Sequence, residues 1–340
     1  MNHRSGGPRS FNTVKRSNRN ERARRRGQCA KTLLAIFIVS FLLVLSFVTL
    51  LVCNLAVGIY NRRQAQSEQT DPNLQTPNLP GITYQMSTQK NDLVYAGELI
   101  VVNGSHEYLF PQKDADQLKD VSSYRKQVNG KEPYQIKNGT TARLQATAAA
   151  KLNELLTRYY GMTDTALVVF DTYRTKSEQE GYSVKPGFSE HHTGLLVSLS
   201  QSHSGYTLDT SEHARLFEIC HEYGFIQRYP DAKSKLTGVS GYGECLRYVG
   251  VAHATYIAQN NLCLEEYVEL LRKNHVSATG TDGKHLLVDT DLDGVANYAV
   301  YYVPKSTTGD LTAVPIPNGI DYTVSGDNSS GFIVTVTLNP

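Results

Sequence analysis

Four short blocks between residues 168 and 254 bring together side chains that can ligate a metal, move a proton or grip a carboxylate. They are Asp171-Thr-Tyr-Arg-Thr-Lys-Ser-Glu-Gln179, Pro186-Gly-Phe-Ser-Glu-His-His-Thr-Gly194, Tyr223-Gly-Phe-Ile-Gln-Arg-Tyr-Pro230 and Leu246-Arg-Tyr-Val-Gly250. Imidazole nitrogens, carboxylates and thiolates are the donors that zinc accepts. His191, His192, His203, Glu190, Glu244 and Cys245 supply them in and around these blocks. A second chemistry lies further on, where Asp289-Thr-Asp-Leu-Asp-Gly294 places carboxylates Asp289, Asp291 and Asp293 at positions 1, 3 and 5 of a calcium loop, with Gly at 6. The twelfth position is Val300 where a bidentate Glu is needed, and the residues after Gly294 read as a strand rather than a helix. An acidic hairpin turn is therefore favoured over calcium.

In this order and at this spacing, the four blocks resemble the VanY-type D-alanyl-D-alanine carboxypeptidases. These are zinc enzymes that remove the last D-alanine from peptidoglycan stem peptides. The resemblance spans about residues 93–272. It implies a first zinc-binding block of Ser-x-His, six residues, then Asp, which falls on Ser189, His191 and Ser198. It implies a second block of Glu-x-x-His ahead of Arg-Tyr-Val-Gly, which falls on Tyr242 and Cys245. One ligand, His191, is kept. Ser198 stands where the family has its Asp ligand, Cys245 where it has His, and Tyr242 where it has the general base. On the substrate side the resemblance implies Arg174 and Thr175 near the stem-peptide carboxylate, with Gln179 and Ser189 also matching.

These replacements change the chemistry. A catalytic zinc takes three protein ligands and keeps one position open for water. Ser198 offers a neutral hydroxyl in place of a charged oxygen, while Cys245 can bind only as a thiolate. Tyr titrates near pH 10 and cannot take a proton from water at neutral pH, as the family's Glu does. No zinc or other cofactor is expected. The reading is a catalytically silent relative that binds a peptidoglycan stem peptide, or a partner in the wall machinery. One rival is an active zinc D,D- or L,D-carboxypeptidase using His191, Cys245 and a further ligand. Another is a protein–protein scaffold whose cleft holds nothing.

The elements that must position these residues are mixed. Leu144, Ala148, Leu152, Leu155 and Leu156 recur at helical spacing within 140–160. Leu167-Val-Val-Phe170 reads as a buried strand, Glu98-Leu-Ile-Val-Val102 as another, and residues 212–223 and 252–271 as helices. This pattern predicts an α+β, carboxypeptidase-like mixed helix/sheet domain over 93–275. Lys284–Val288, Ala296–Val303 and Phe332–Leu338 are β-type runs between turn residues, predicting a small C-terminal all-β module at 280–340. Tyr298, Tyr301 and Tyr302 are expected to pack on a face of that module.

Ahead of the domain the chain is asymmetric in charge. Residues 1–31 carry ten Lys or Arg against Glu21, a net +9, so the remainder, with 24 basic and 31 acidic residues, is −7. Leu33 to Cys53 has no charged residue, long enough at about 1.5 Å per residue for a bilayer core of roughly 30 Å. A single N-terminal transmembrane helix is predicted within 32–60. The cation excess before it places the 1–31 tail in the cytoplasm and the main domain outside. That position gives the basic tail a membrane role rather than a nucleic-acid one. Residues 61–92, rich in Gln, Thr, Pro and Asn, read as a stalk. Cys220, Cys245 and Cys263 are an odd outer set that cannot all pair, and Cys220 is expected in the core. Asn103, Asn138 and Asn328 begin Asn-x-Ser/Thr triplets, which carry no weight in a bacterial wall family.

Overall fold

The computed structural model describes residues 77, 79–111, 117–205, 208–274 and 285–339, which belong to one compact unit, 73–340. The basic tail, the predicted membrane segment and the stalk up to residue 76 lie outside the described residues. Among the described residues no helix is long and apolar enough to cross a membrane. In chain order the elements are β1 (Tyr84–Lys90), β2 (Leu118–Asp120), β3 (Tyr134–Ile136), β4 (Arg143–Gln145), α1 (Ala146–Thr163), β5 (Leu167–Asp171) and α2 (Lys176–Gln179). Then come β6 (Leu196–Ser200), α3 (Ala214–Ile219), β7 (Phe225–Gln227), α4 (Ser234–Thr237), β8 (Cys245–Tyr248), α5 (Val251–Gln259) and α6 (Leu264–Lys273). The chain finishes with β9 (Leu286–Val288), β10 (Tyr298–Pro304), β11 (Leu311–Pro317), β12 (Tyr322–Gly326) and β13 (Gly331–Thr337).

The central sheet has the order β3-β5-β6-β8-β7, with β3 parallel to β5 and the other pairs antiparallel. Helix α1 lays Ala148, Ala149, Leu152, Leu155, Leu156 and Tyr159 against it, in one core with Leu167, Val169, Val197, Leu199 and Leu246. Each of those leucines contributes about 2 kcal/mol by leaving water. The helix starts later than its apolar spacing suggests, because Leu144 is spent in β4, paired to Lys119 of β2. At its far end Asp164 takes a left-handed conformation and its N–H bonds back to the Tyr160 carbonyl.

The C-terminal strands form a second sheet, β12-β13-β10-β9, that is covered on both faces. Val288, Val300, Tyr302 and Ile333 pack on α5 and α6 together with Leu99, Val101 and Val249. Ala299, Tyr301, Val303, Phe332 and Val334 face the other way, under Val314 and Ile316 of β11. The all-β module is thus present, but it is not separate: it shares a core with the carboxypeptidase-like part. Tyr301 and Tyr302 pack into that core as expected.

Three expectations are corrected. The stalk does not run to residue 92, since β1 pairs with all of β11 from Tyr84–Pro317 to Lys90–Leu311. Residues 98–102 form no strand, although 99–102 are buried. Their backbone bonds to side chains instead: Leu99 N–H to Ser325 Oγ, Ile100 O to Arg247, Val101 O to Asn328. The helix expected at 252–271 is two helices, α5 and α6, broken at Asn260-Asn-Leu-Cys263, where Asn261 has positive φ. Cys220, Cys245 and Cys263 are all free and buried.

Candidate functional site

Three adjacent strands carry one row of side chains. Asp171 at the end of β5 is paired with Ser198 of β6, and Ser198 with Cys245 of β8. Directly paired residues project from the same face of a sheet. Ser198 Oγ and Cys245 Sγ are 3.1 Å apart, in hydrogen-bond contact, and both residues are buried. Burial pushes the Cys245 thiol well up from its ordinary range, so it is a neutral S–H at any physiological pH.

His191 approaches from the 3-10 turn Glu190–Thr193, which enters β6 through left-handed Gly194. A Cβ at Gly194 would lie 2.6 Å from Leu118 Cδ2, so glycine is required there. His191 Nδ1 donates to the Thr172 carbonyl at 2.6 Å, which leaves Nε2 with its lone pair. Burial holds its pKa down to about 4, so the ring is neutral and of the right tautomer to ligate. The turn is pinned by Glu190, whose carboxylate accepts from Arg228 at 2.5 Å, Arg247 at 2.7 Å and the Tyr229 hydroxyl at 3.0 Å. Arg228 reaches on to Glu265. The third and fourth sequence blocks thus serve to hold the His191 turn.

A zinc ion does not fit this donor set. His191 is a competent ligand, but Ser198 and Cys245 are neutral and bonded to each other. Among the described residues the only three His, Cys, Asp or Glu side chains with ligand atoms within 4.8 Å of one another are Asp289, Asp291 and Asp293. The alternative donors are committed elsewhere. His192 Nδ1 donates to Arg174 O and its Nε2 accepts from Gly187 N–H. His203 bridges Gln135 and Asn138. Glu190 serves the two arginines. Glu244 lies with Oε1 3.9 Å from Cys245 Sγ, because β8 begins only at Cys245 and residue 244 is outside its alternation. Burial raises the Glu244 carboxyl's pKa, which disfavours the charged form a ligand needs. Tyr242 is 46% exposed and stands outside the row.

The expected substrate side is ordered by its own contacts. Arg174 grips Asp171 through Nε and Nη2 at 3.0 and 2.5 Å, donates from Nη1 to Gln179 Oε1 at 2.8 Å, and lies 3.6 Å from the Tyr182 ring centroid. Gln179 is fully buried and donates to Val184 O. Thr175 caps α2 in a reciprocal pair with Glu178. Ser189, also buried, immediately precedes the His191 turn. Sequence reasoning missed Asp171 as the partner of Arg174, although an Asp three residues ahead of an Arg was a legible signal. It also missed Tyr108 and Phe110, whose rings lie 6.4 and 4.8 Å from that of His192. Nothing in their local sequence marks them. With Leu118 and Tyr173 they line a small cavity of about 30 Å³ beside His192. A larger cavity, about 390 Å³, is elsewhere, between Asp120, Arg125, Gln135, Asn138 and His203.

Asp289, Asp291 and Asp293 lie in the turn between β9 and β10. Asp289 accepts from Leu292 N–H and Gly294 N–H, and Val300 is buried in β10.

Comparison with known proteins gives a consistent result. The family model for VanY, D-alanyl-D-alanine carboxypeptidase, matches residues 110–251. A D-alanyl-D-alanine carboxypeptidase of Enterococcus faecium is 26% identical over 264 residues, covering 74% of this chain and 79% of its own. The bifunctional D-Ala-D-Ala dipeptidase and D-Ala-D-Ala carboxypeptidase VanXYC of Enterococcus gallinarum is 32% identical over 145 residues, 36% of this chain and 76% of its own. The crystal structure of the vancomycin resistance D,D-dipeptidase VanXYg, in complex with a D-Ala-D-Ala phosphinate analog, shares the fold. Its TM-score is 0.58 at 22% identity, over 75% of this chain and 99% of that one.

Proposed function

The chain belongs to the VanY family of D-alanyl-D-alanine carboxypeptidases, and from that premise we propose that it is a membrane-anchored, catalytically silent member that binds peptidoglycan stem peptides. The observation that carries the silent site is the 3.1 Å contact between the Ser198 hydroxyl and the Cys245 thiol. Two positions that the family gives to charged or lone-pair ligands satisfy each other as neutral groups. Tyr242, at the position of the base, faces solvent. Loss of catalysis with retention of fold is physically simple, because function resides in a few grafted side chains.

Stem-peptide binding is supported by the relatives' named substrate and by the retained Arg174, Thr175, Gln179 and Ser189. The D-Ala carboxylate would share the Arg174 guanidinium with Asp171 and Gln179. That same pairing favours a second reading, a scaffold for a wall-machinery protein, in which Arg174 only stabilises the fold. The anchor rests on the charge asymmetry around the apolar run at 33–53, which puts the domain outside the cell membrane.

Metal analysis of the purified chain, alongside titration with a D-Ala-D-Ala pentapeptide, separates the readings. Peptide binding without stoichiometric zinc is the expected result. One zinc per chain, lost in His191→Ala, would establish the enzyme reading. Absence of peptide binding would establish the scaffold.

A further inference from the structure

The turn between β12 and β13 reaches out of the C-terminal sheet and holds the segment behind the site. Asn328 sits in that turn with left-handed φ of 67° and is 4% exposed. Its Nδ2 donates to two carbonyls of one segment, Val101 O at 2.8 Å and Glu107 O at 3.1 Å. Its own N–H donates to Val94 O at 2.7 Å. The turn itself is rigid: the fully buried Asp327 carboxylate accepts the N–H groups of Ser329, Ser330 and Gly331, the Tyr302 hydroxyl and Arg272 Nε.

The held segment leads straight to the site. One residue past Glu107, Tyr108 N–H donates to Gly187 O at 2.7 Å. Glu107 itself packs so close to Gly187 that a Cβ there would lie 2.7 Å from its Oε1. Gly187 N–H donates to His192 Nε2, and His192 Nδ1 donates to the Arg174 carbonyl. Tyr108 and Phe110 lay their rings against His192, and Lys176 lies over Phe110. An unbroken chain of short contacts therefore runs from the C-terminal sheet to the backbone of Arg174.

We infer that Asn328 is a positioning residue for the site: the C-terminal sheet, through its Nδ2, fixes the 101–110 wall against Gly187 and His192. Two carbonyls six residues apart are drawn to one amide, which ties the wall to the sheet at two points. The expected effect on ligand affinity rests on the stem-peptide reading; the effect on the wall does not.

The test is Asn328→Gly in the full chain, which keeps the left-handed backbone and removes only the amide. Tyr301→Phe is the control: it removes a hydrogen bond to Pro315 O on the opposite face of the same sheet. Hydrogen exchange is measured at the Tyr108 and Gly187 amides, well below the melting temperature of each variant. In Asn328→Gly these amides should exchange at least about tenfold faster, as expected when two buried hydrogen bonds are lost. Pentapeptide affinity should fall about tenfold with them, while Tyr301→Phe leaves both near the wild-type values. Unchanged exchange at Tyr108 and Gly187 in folded Asn328→Gly would overturn the inference, and so would equal acceleration in Tyr301→Phe. Should the wild type bind no pentapeptide, the stem-peptide reading fails, and the exchange result still decides the role of Asn328.

Discussion

On the proposed reading, Ser198, Cys245 and His191 are the residues that leave the metal site silent. The imidazole is still presented as a neutral ligand by the Thr172 carbonyl, so the proposal places the loss in its two companions. The double change Ser198→Asp and Cys245→His should recover zinc binding with His191, measurable as about one equivalent of metal after dialysis. Adding Tyr242→Glu restores the base by type. Hydrolysis of a pentapeptide should still lag behind metal binding, because residue 242 faces solvent and must swing inward. Cys245→His alone should do little, and zinc at full occupancy in that single variant would contradict the account. The buried imidazoles also set a pH dependence. Burial holds His191 at about 4 and His253 at about 3, against 6.5 for a free ring. Between these values the unfolded chain binds the protons and the folded one does not, so stability falls as pH drops from 6.5. For His191 this amounts to roughly 3 kcal/mol by pH 4. Urea midpoints measured across that window should drop, and His253→Gln, which keeps polar contacts to Tyr267 and Thr335, should flatten the slope.

At the scale of elements, the Glu190–Thr193 turn is the joint on which the site depends. It carries His191 and His192, whose side chains leave it for different partners, and its own anchor is a carboxylate wholly buried between Arg228 and Arg247. Removing one partner from such a cluster leaves a charge without compensation in a medium that solvates it poorly. Glu190→Gln should therefore destabilise the fold by about 3 kcal/mol or more. A denaturation midpoint within error of wild type would show that the two arginines are solvated or re-paired. Helices α5 and α6 illustrate a different rule. Their combined apolar pattern passes for one helix, yet the Cys263 thiol and Glu266 form a fresh cap at the start of α6, and the break lets both helices pack on the C-terminal sheet.

Across the whole molecule, the C-terminal sheet is a structural half of the domain. Tyr302, Val300 and Ile333 lie in one core with Ile257, Tyr267 and Leu271. A chain ending at residue 274 should lose cooperative unfolding, because α5 and α6 would expose that face; a sharp thermal transition in the truncated chain would refute this. The proposed membrane topology has its own test. Protease added to intact, wall-stripped cells should remove the chain beyond about residue 64 and spare the basic tail. Protection of the domain would reverse the orientation.

From sequence alone, the family and its four blocks were legible, because they depend on residue type at fixed spacing. So were α1, β5 and the β-rich end, whose apolar periods reflect what each element buries. Tertiary structure alone decided what the non-local contacts control. Residues 98–102 have the composition of a strand, but Ser325, Arg247 and Asn328, distant in sequence, take their backbone groups. Residues 84–90 look like polar linker until β11, more than two hundred residues on, offers a partner. Asn328 reads as a meaningless glycosylation triplet, and only folding brings its amide to Val101 and Glu107. Local pattern records which face of an element is buried; it cannot record which remote group completes a hydrogen bond.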